Sequence, residues 1–184
     1  AFNDTACYGD YYQWGRLTDG HEKSSSVTTT TLASDIESAG SKFIIKATDP
    51  FVWTMLDTVG ILKEAQWSKT DGSSVCPVGF KVPSAVEFHA ETIDETIQDT
   101  DVNSNGNIQV VNKYTAFANF LKLPAAGMRN VGNGAFYIQG GDGLVWNSTP
   151  QWNFAGKTTT FGEDYARDSS SFNGNGYSVR CIKN

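Results

Sequence analysis

The sequence predicts an α+β domain in which two helices precede a run of short antiparallel strands joined by long loops. Three observations carry this. A capping signal at Ser84 opens an apolar stripe at helical spacing, and a second stripe runs from Tyr114 to Leu121. Beyond Pro124, Gly and Asn punctuate apolar segments of strand length.

The chain has 184 residues, which fits a single domain spanning 1–184 and allows a real core. Charged residues make up 18%, below the roughly 25% usual for globular domains. The polarity comes instead from Gly, Ser, Thr and Asn, and aromatics reach 12%. That composition suits short strands and polar loops better than helix bundles. A net charge of −6 without any basic run argues against nucleic acid. No stretch of about 18 apolar residues is present, so no membrane insertion is expected. The opening Ala1-Phe2-Asn3-Asp4 is read as the start of a processed chain or of a piece of a larger protein.

Along the chain, Ser24 to Thr31 reads as a surface loop or edge strand. Phe43-Ile44-Ile45-Lys46, ending at Asp49-Pro50, reads as a short strand or buried loop. Ser84 and Glu87 form a capping box, and Val86, Ala90, Ile93 and Ile97 recur along one helical face. Tyr114, Phe117, Phe120 and Leu121 mark the second helix, which Pro124 stops. Ala135 to Ile138, Gly143 to Trp146 and Tyr177 to Ile182 read as strands.

The three cysteines, Cys7, Cys76 and Cys181, lack CxxC spacing and make no zinc site. The simplest reading is one disulfide and one free thiol, and the alternative is three buried, reduced cysteines. Enzyme signals are poor. The two histidines, His21 and His89, belong to no HExxH, and no GxSxG, P-loop or GxGxxG occurs. Glu87 and Glu91, one helical turn apart, read as a solvated face.

The strongest local signal is the segment from Asp99 to Ile108. Calcium takes six to eight oxygens, and alternating Asp and Asn on a turning loop supply them. Asp101, Asn103 and Asn105 stand at alternate positions of an EF-hand-like loop, with Asn107 beyond and Gly106 at the sharp turn. The closing position is Asn112 and not a bidentate Glu, so Asp99 would have to supply the missing carboxylate. The alternative is an ordinary Asn/Gly surface turn.

Five blocks together resemble the Fibrobacter succinogenes major paralogous domain family. They are Tyr8 to Arg16, Cys76 to Ser84 running into Glu87, Leu123 to Arg129, Trp146-Asn147-Ser148, and Gly176 to Cys181. The resemblance implies a C-type-lectin-like fold and an exported bacterial protein. The chain is also similar to the peptide-binding domains of repeats-in-toxin adhesins, through Gln13-Trp14-Gly15-Arg16 and the Asp/Asn-rich loops. The resemblance to the paralogous domain family further implies a Cys76–Cys181 disulfide, since both cysteines belong to its recurrent motifs and Cys7 does not obviously do so. The late loops are where such folds hold calcium and ligand, which directs attention to Asp142, Asn147, Asp164, Asp168, Asn173 and Asn175. Trp146, Trp152, Tyr165 and Phe172 are candidates for a ligand floor, with core packing as the alternative for Trp146. The sugar-reading triplets Glu-Pro-Asn and Gln-Pro-Asp are missing, as is Trp-Asn-Asp. The expected function is a calcium-dependent peptide-binding module of a bacterial adhesin, extracellular and monomeric. Its expected ligand is a short or C-terminal peptide segment of a surface protein, with a glycan as the alternative.

Overall fold

A computed structural model describes residues 1–93, 102 and 105–184. It corrects the expected fold class. The protein is mostly β, built on a curled, half-barrel mixed sheet, and is not an α+β domain of C-type-lectin-like arrangement. The main sheet contains β1 (Tyr12–Gln13), β5 (Met128–Arg129), β6 (Phe136–Tyr137), β7 (Gly143–Gln151), β8 (Ala155–Phe161), β9 (Ala166–Phe172) and β10 (Gly176–Val179). Its order is β6-β5-β10-β7-β8-β9, with β1 also pairing β10. β7, β8 and β9 form an antiparallel meander, whereas β10 lies parallel to β7 through Ser178↔Val145. Two small sheets complete the fold: β2 (Thr28–Thr29) parallel to β3 (Phe43–Ile44), and β4 (Phe80–Lys81) antiparallel to β11 (Ile182–Lys183).

The helices are short: α1 (Ile61–Trp67), α2 (Ala85–Glu91) and α3 (Lys113–Ala118). The capping box at α2 forms as the sequence implies, with Ser84 accepting from the Glu87 N–H and Glu87 accepting from the Ser84 N–H. Asn112 caps α3 in the same way.

The segment after Tyr11 organises the core through indole hydrogen bonds. The carbonyls of Tyr12, Trp14 and Arg16 accept from the Nε1 of Trp146 (2.8 Å), Trp53 (2.9 Å) and Trp67 (2.8 Å). Trp14 in turn donates to the Asn147 carbonyl at 2.8 Å. All four tryptophans are buried, so each brings a large apolar surface inside while its one polar atom finds a partner. Gln13 bridges strands, donating to the carbonyls of Ile44 (2.8 Å) and Gly174 (2.6 Å) and accepting from the Ile44 N–H. Gly15 has φ +81, and a Cβ there would stand 2.3 Å from Cβ of Lys63, so only glycine lets α1 lie this close. Cys76 and Cys181 are bonded, and Cys7 is free and exposed.

Candidate functional site

Helix α1 turns two of its aliphatic residues outward and a lysine inward. It buries Lys63, Gln66 and Trp67, while Ile61 and Leu62 are 62% and 58% exposed. Soluble helices ordinarily do the reverse. The preceding loop continues the pattern, with Met55, Leu56 and Val59 also exposed.

This segment is pinned from beneath. Gly60 at the N-cap has no side chain, and Asp57 substitutes for one by accepting from the N–H groups of Gly60 (3.1 Å) and Lys63 (2.9 Å). The Lys63 ammonium, fully buried, donates to the carbonyls of Leu56 (2.7 Å) and Asp57 (2.9 Å) and lies 5.5 Å from the centre of the Trp53 ring. Burial pulls its pKa from the ordinary 10.5 down to about 8, against the opposing pull of Asp57.

The pH dependence follows from that shift. Below pH 8 Lys63 is protonated both folded and unfolded. Between pH 8 and 10.5 the unfolded chain holds more protons, so folding stability rises with pH, approaching about 1.4 kcal/mol per unit. Near pH 10 buried Tyr11 and Tyr177 and half-buried Tyr12 oppose it. Burial raises their pKa values, so they favour the folded state less as pH climbs further. Urea unfolding between pH 7 and 10 is expected to show the rise in the wild type and to lack it in Lys63→Met. Equal slopes in the two proteins would refute the assignment.

The tip of the β7–β8 hairpin stands beside this loop. Trp152 is 80% exposed there, and the next two residues, Asn153 (φ 55) and Phe154 (φ 64), are left-handed. Asp57 (φ 54), across from the tip, is left-handed too, so three of the five non-glycine residues at positive φ in the described chain gather here. At the tip, two successive left-handed residues are the geometry of a tight hairpin turn, and Asp visits this region more readily than most residues. The Phe154 N–H donates to the Thr58 carbonyl (3.2 Å), and the Phe154 carbonyl accepts from the Asn173 N–H (2.8 Å), so the tip is braced on both sides. Two concavities flank the loop. One, of about 450 Å³, lies between Thr58-Val59 and Pro150 to Asn153. The other, of about 490 Å³, lies between α1 and the 34–37 loop.

Of the described residues from Asp142 onward expected to bind calcium or ligand, Asp142, Asp164 and Tyr165 share one turn region and the others are spread along the late strands. Asp99, Asp101 and Asn103 lie outside the described residues. Asn105 and Asn107 turn their amide N–H groups to the Glu91 carboxylate, so Glu91 is a partner that the sequence left as a solvated acid. Asp142 accepts from the Tyr165 hydroxyl at 3.0 Å, and Arg167 covers the Tyr165 ring. Neighbouring Glu163 is paired with Lys113 and with the Tyr114 hydroxyl, and Asp164 is exposed at the same turn. Asp168 lies within β9 and not on a loop, bonded to Lys157 at 2.9 Å with His89 at 3.8 Å.

Trp146 is a core residue stacked on Tyr177 at 4.4 Å between ring centres, and Asn147 beside it is buried. Asn173 is buried as well. Asn175 accepts from the Val131 N–H and donates to Ser171, a structural role. Phe172 packs on Phe51 at 5.2 Å. From Asp164 to Asn173 the chain runs the length of β9, roughly 30 Å at strand rise, so no single ion meets both ends. Asp142, Asp164, Tyr165, Asn173 and Asn175 lie on turns between strands, whereas Trp146, Asn147, Asp168 and Phe172 lie within β7 and β9.

Among the described residues, one group of three His, Cys, Asp or Glu places its ligand atoms within 4.8 Å of one another: Asp19, His21 and Glu22. It does not suit an ion. His21 uses both ring nitrogens, Nδ1 with Asp19 at 2.5 Å and Nε2 accepting the Gln13 N–H at 3.0 Å. Burial holds its pKa below the ordinary 6.5, which keeps the ring neutral. Asp19 is already paired with Arg16 at 2.8 Å, and Glu22 accepts from the Gly20 N–H. Calcium is not supported by any described residues.

No family model, curated protein or solved structure matches this chain.

Proposed function

We propose that this domain is a binding module and not an enzyme, and that it docks an extended peptide on the face formed by residues 55–62 of the α1 region and Trp152. The observation that carries this is the inverted helix. α1 accepts a buried lysine while holding Ile61 and Leu62 in water. Exposing that apolar surface is unfavourable in isolation and is offset when a partner covers it. The bracing of the loop and hairpin tip lowers the ordering cost of binding. An exposed tryptophan beside aliphatic side chains is the composition of an interface anchor. Aliphatic walls from Leu56, Val59 and Leu62 suit peptide side chains better than hydroxyl-rich sugars.

The motif resemblance supports an exported bacterial surface protein, so the proposed setting is adhesion outside the cell. No helix among the described residues is long and apolar enough to cross a membrane. Binding at this face needs no calcium.

The test uses short synthetic peptides that alternate Leu, Phe or Trp with polar residues, titrated against wild type, Trp152→Ala and Leu62→Glu. Both side chains are exposed, so thermal midpoints are expected to move little, within about 0.5 kcal/mol of stability. Peptides that bind the wild type are expected to lose at least about tenfold in affinity with either variant, as anchor residues do. That loss should be the same with EDTA present. Wild-type affinity in both variants would refute the face.

A further inference from the structure

We propose that the peptide carries a lysine or arginine next to its apolar anchor, read by Asp35 and Glu37. This deepens the peptide-binding reading above and rests on it. The larger concavity has an apolar lining from Ile36, Leu56, Leu62 and Ala65, and the carboxylates of Asp35 and Glu37 stand at its rim. An aliphatic side chain fits the lining, and a cation extending past it meets the acids.

The two acids are held in place by hydrogen bonds. Asp35 accepts the N–H groups of Glu37 (2.6 Å) and Ser38 (3.1 Å) through Oδ1, which fixes the turn. Glu37 accepts from Gln66 of α1 at 2.9 Å through Oε1, which ties the rim to the helix. Neither carboxylate is ion-paired among the described residues. Asp10, Glu87, Glu163 and Asp168 are each paired with a lysine. Lys69, which also borders the concavity, donates to the side-chain amide oxygen Oε1 of Gln66 at 2.6 Å and makes no ion pair with either acid. The overall charge of −6 favours the approach of a cationic partner.

The experiment compares three sets of acetylated, amidated peptides with the same apolar anchor. The neighbouring position is lysine, glutamate or norleucine. They are titrated by fluorescence anisotropy against wild type, Asp35→Asn/Glu37→Gln and Leu62→Glu. Asn and Gln keep the acceptors that hold the turn and the Gln66 bond, so the double variant is expected to fold. The expected result is that the lysine peptides bind the wild type about fivefold or more tightly than the glutamate peptides. That preference should shrink with added salt and vanish in the double variant, while Leu62→Glu weakens all three sets. Equal binding of lysine, glutamate and norleucine peptides to the wild type would overturn the cation inference and leave the peptide face standing. Binding to none of the peptides, or to phosphatidylcholine vesicles instead, would overturn the peptide reading itself.

Discussion

Replacing Trp14 with alanine is expected to lower the unfolding free energy by about 3–5 kcal/mol, the range for truncating a buried aromatic. The effect should be large because Trp14 joins separate parts of the chain. Its backbone N–H donates to the Asn173 carbonyl and its indole N–H to the Asn147 carbonyl, and its own carbonyl receives the Trp53 indole. The ring also covers Gly156 of β8, where a Cβ would come within 2.5 Å of it, and meets Trp67 edge-on at 6.0 Å. Truncation would open a cavity beneath the hairpin and strip the Asn147 carbonyl of its donor. The milder Trp14→Phe keeps most of the packing and loses the indole bond, so a smaller cost of about 1–2 kcal/mol is expected. Urea unfolding separates the two. A loss below about 1 kcal/mol for Trp14→Ala would show that the tryptophan lattice does not hold this sheet together.

Removing the disulfide is expected to be comparably costly. Cys76 and Cys181 are 105 residues apart, and the bond fastens the end of the chain beside the β4–β11 pair. A loop of that length corresponds to a chain-entropy contribution of up to about 4–5 kcal/mol. The Cys76→Ala/Cys181→Ala variant should therefore unfold at a much lower temperature, with the wild type under strong reductant behaving alike. Alkylating exposed Cys7 in the native state should leave the midpoint where it is. Peptide mapping that found Cys7 in the bond would contradict this arrangement, as would an unchanged midpoint in the double variant.

What could be read from the sequence was local. The Ser84–Glu87 box marked the start of α2, and Tyr114 fell within α3, because capping and helical spacing act over a few residues. The disulfide partners came from motif resemblance, not from any local rule. α1 was not legible, since Ile61 and Leu62 face water while Lys63 is buried beside Trp67, so its pattern points to no single face. The strand β8 was missed for a related reason: Thr158, Thr159 and Thr160 are buried but polar, and they read as surface. Nor could the fold class be read from local pattern. The parallel pairing of β10 with β7 depends on partners far apart in the chain, and helices of six or seven residues weigh little against the meander. Of the candidate site, Trp152 was in view as one of four candidates for a ligand floor. Its neighbours Leu56, Val59 and Leu62 were not, because nothing local distinguishes an aliphatic residue left in water from one in a core.

The most direct test is a hydrogen-exchange footprint of the domain with the tightest-binding peptide of the panel. Protection is expected at residues 55–66 and 150–154, the loop, helix and hairpin tip that form the apolar face. Protection confined instead to residues 140–147 and 163–168 would place the ligand on the late turns and contradict docking at the inverted helix.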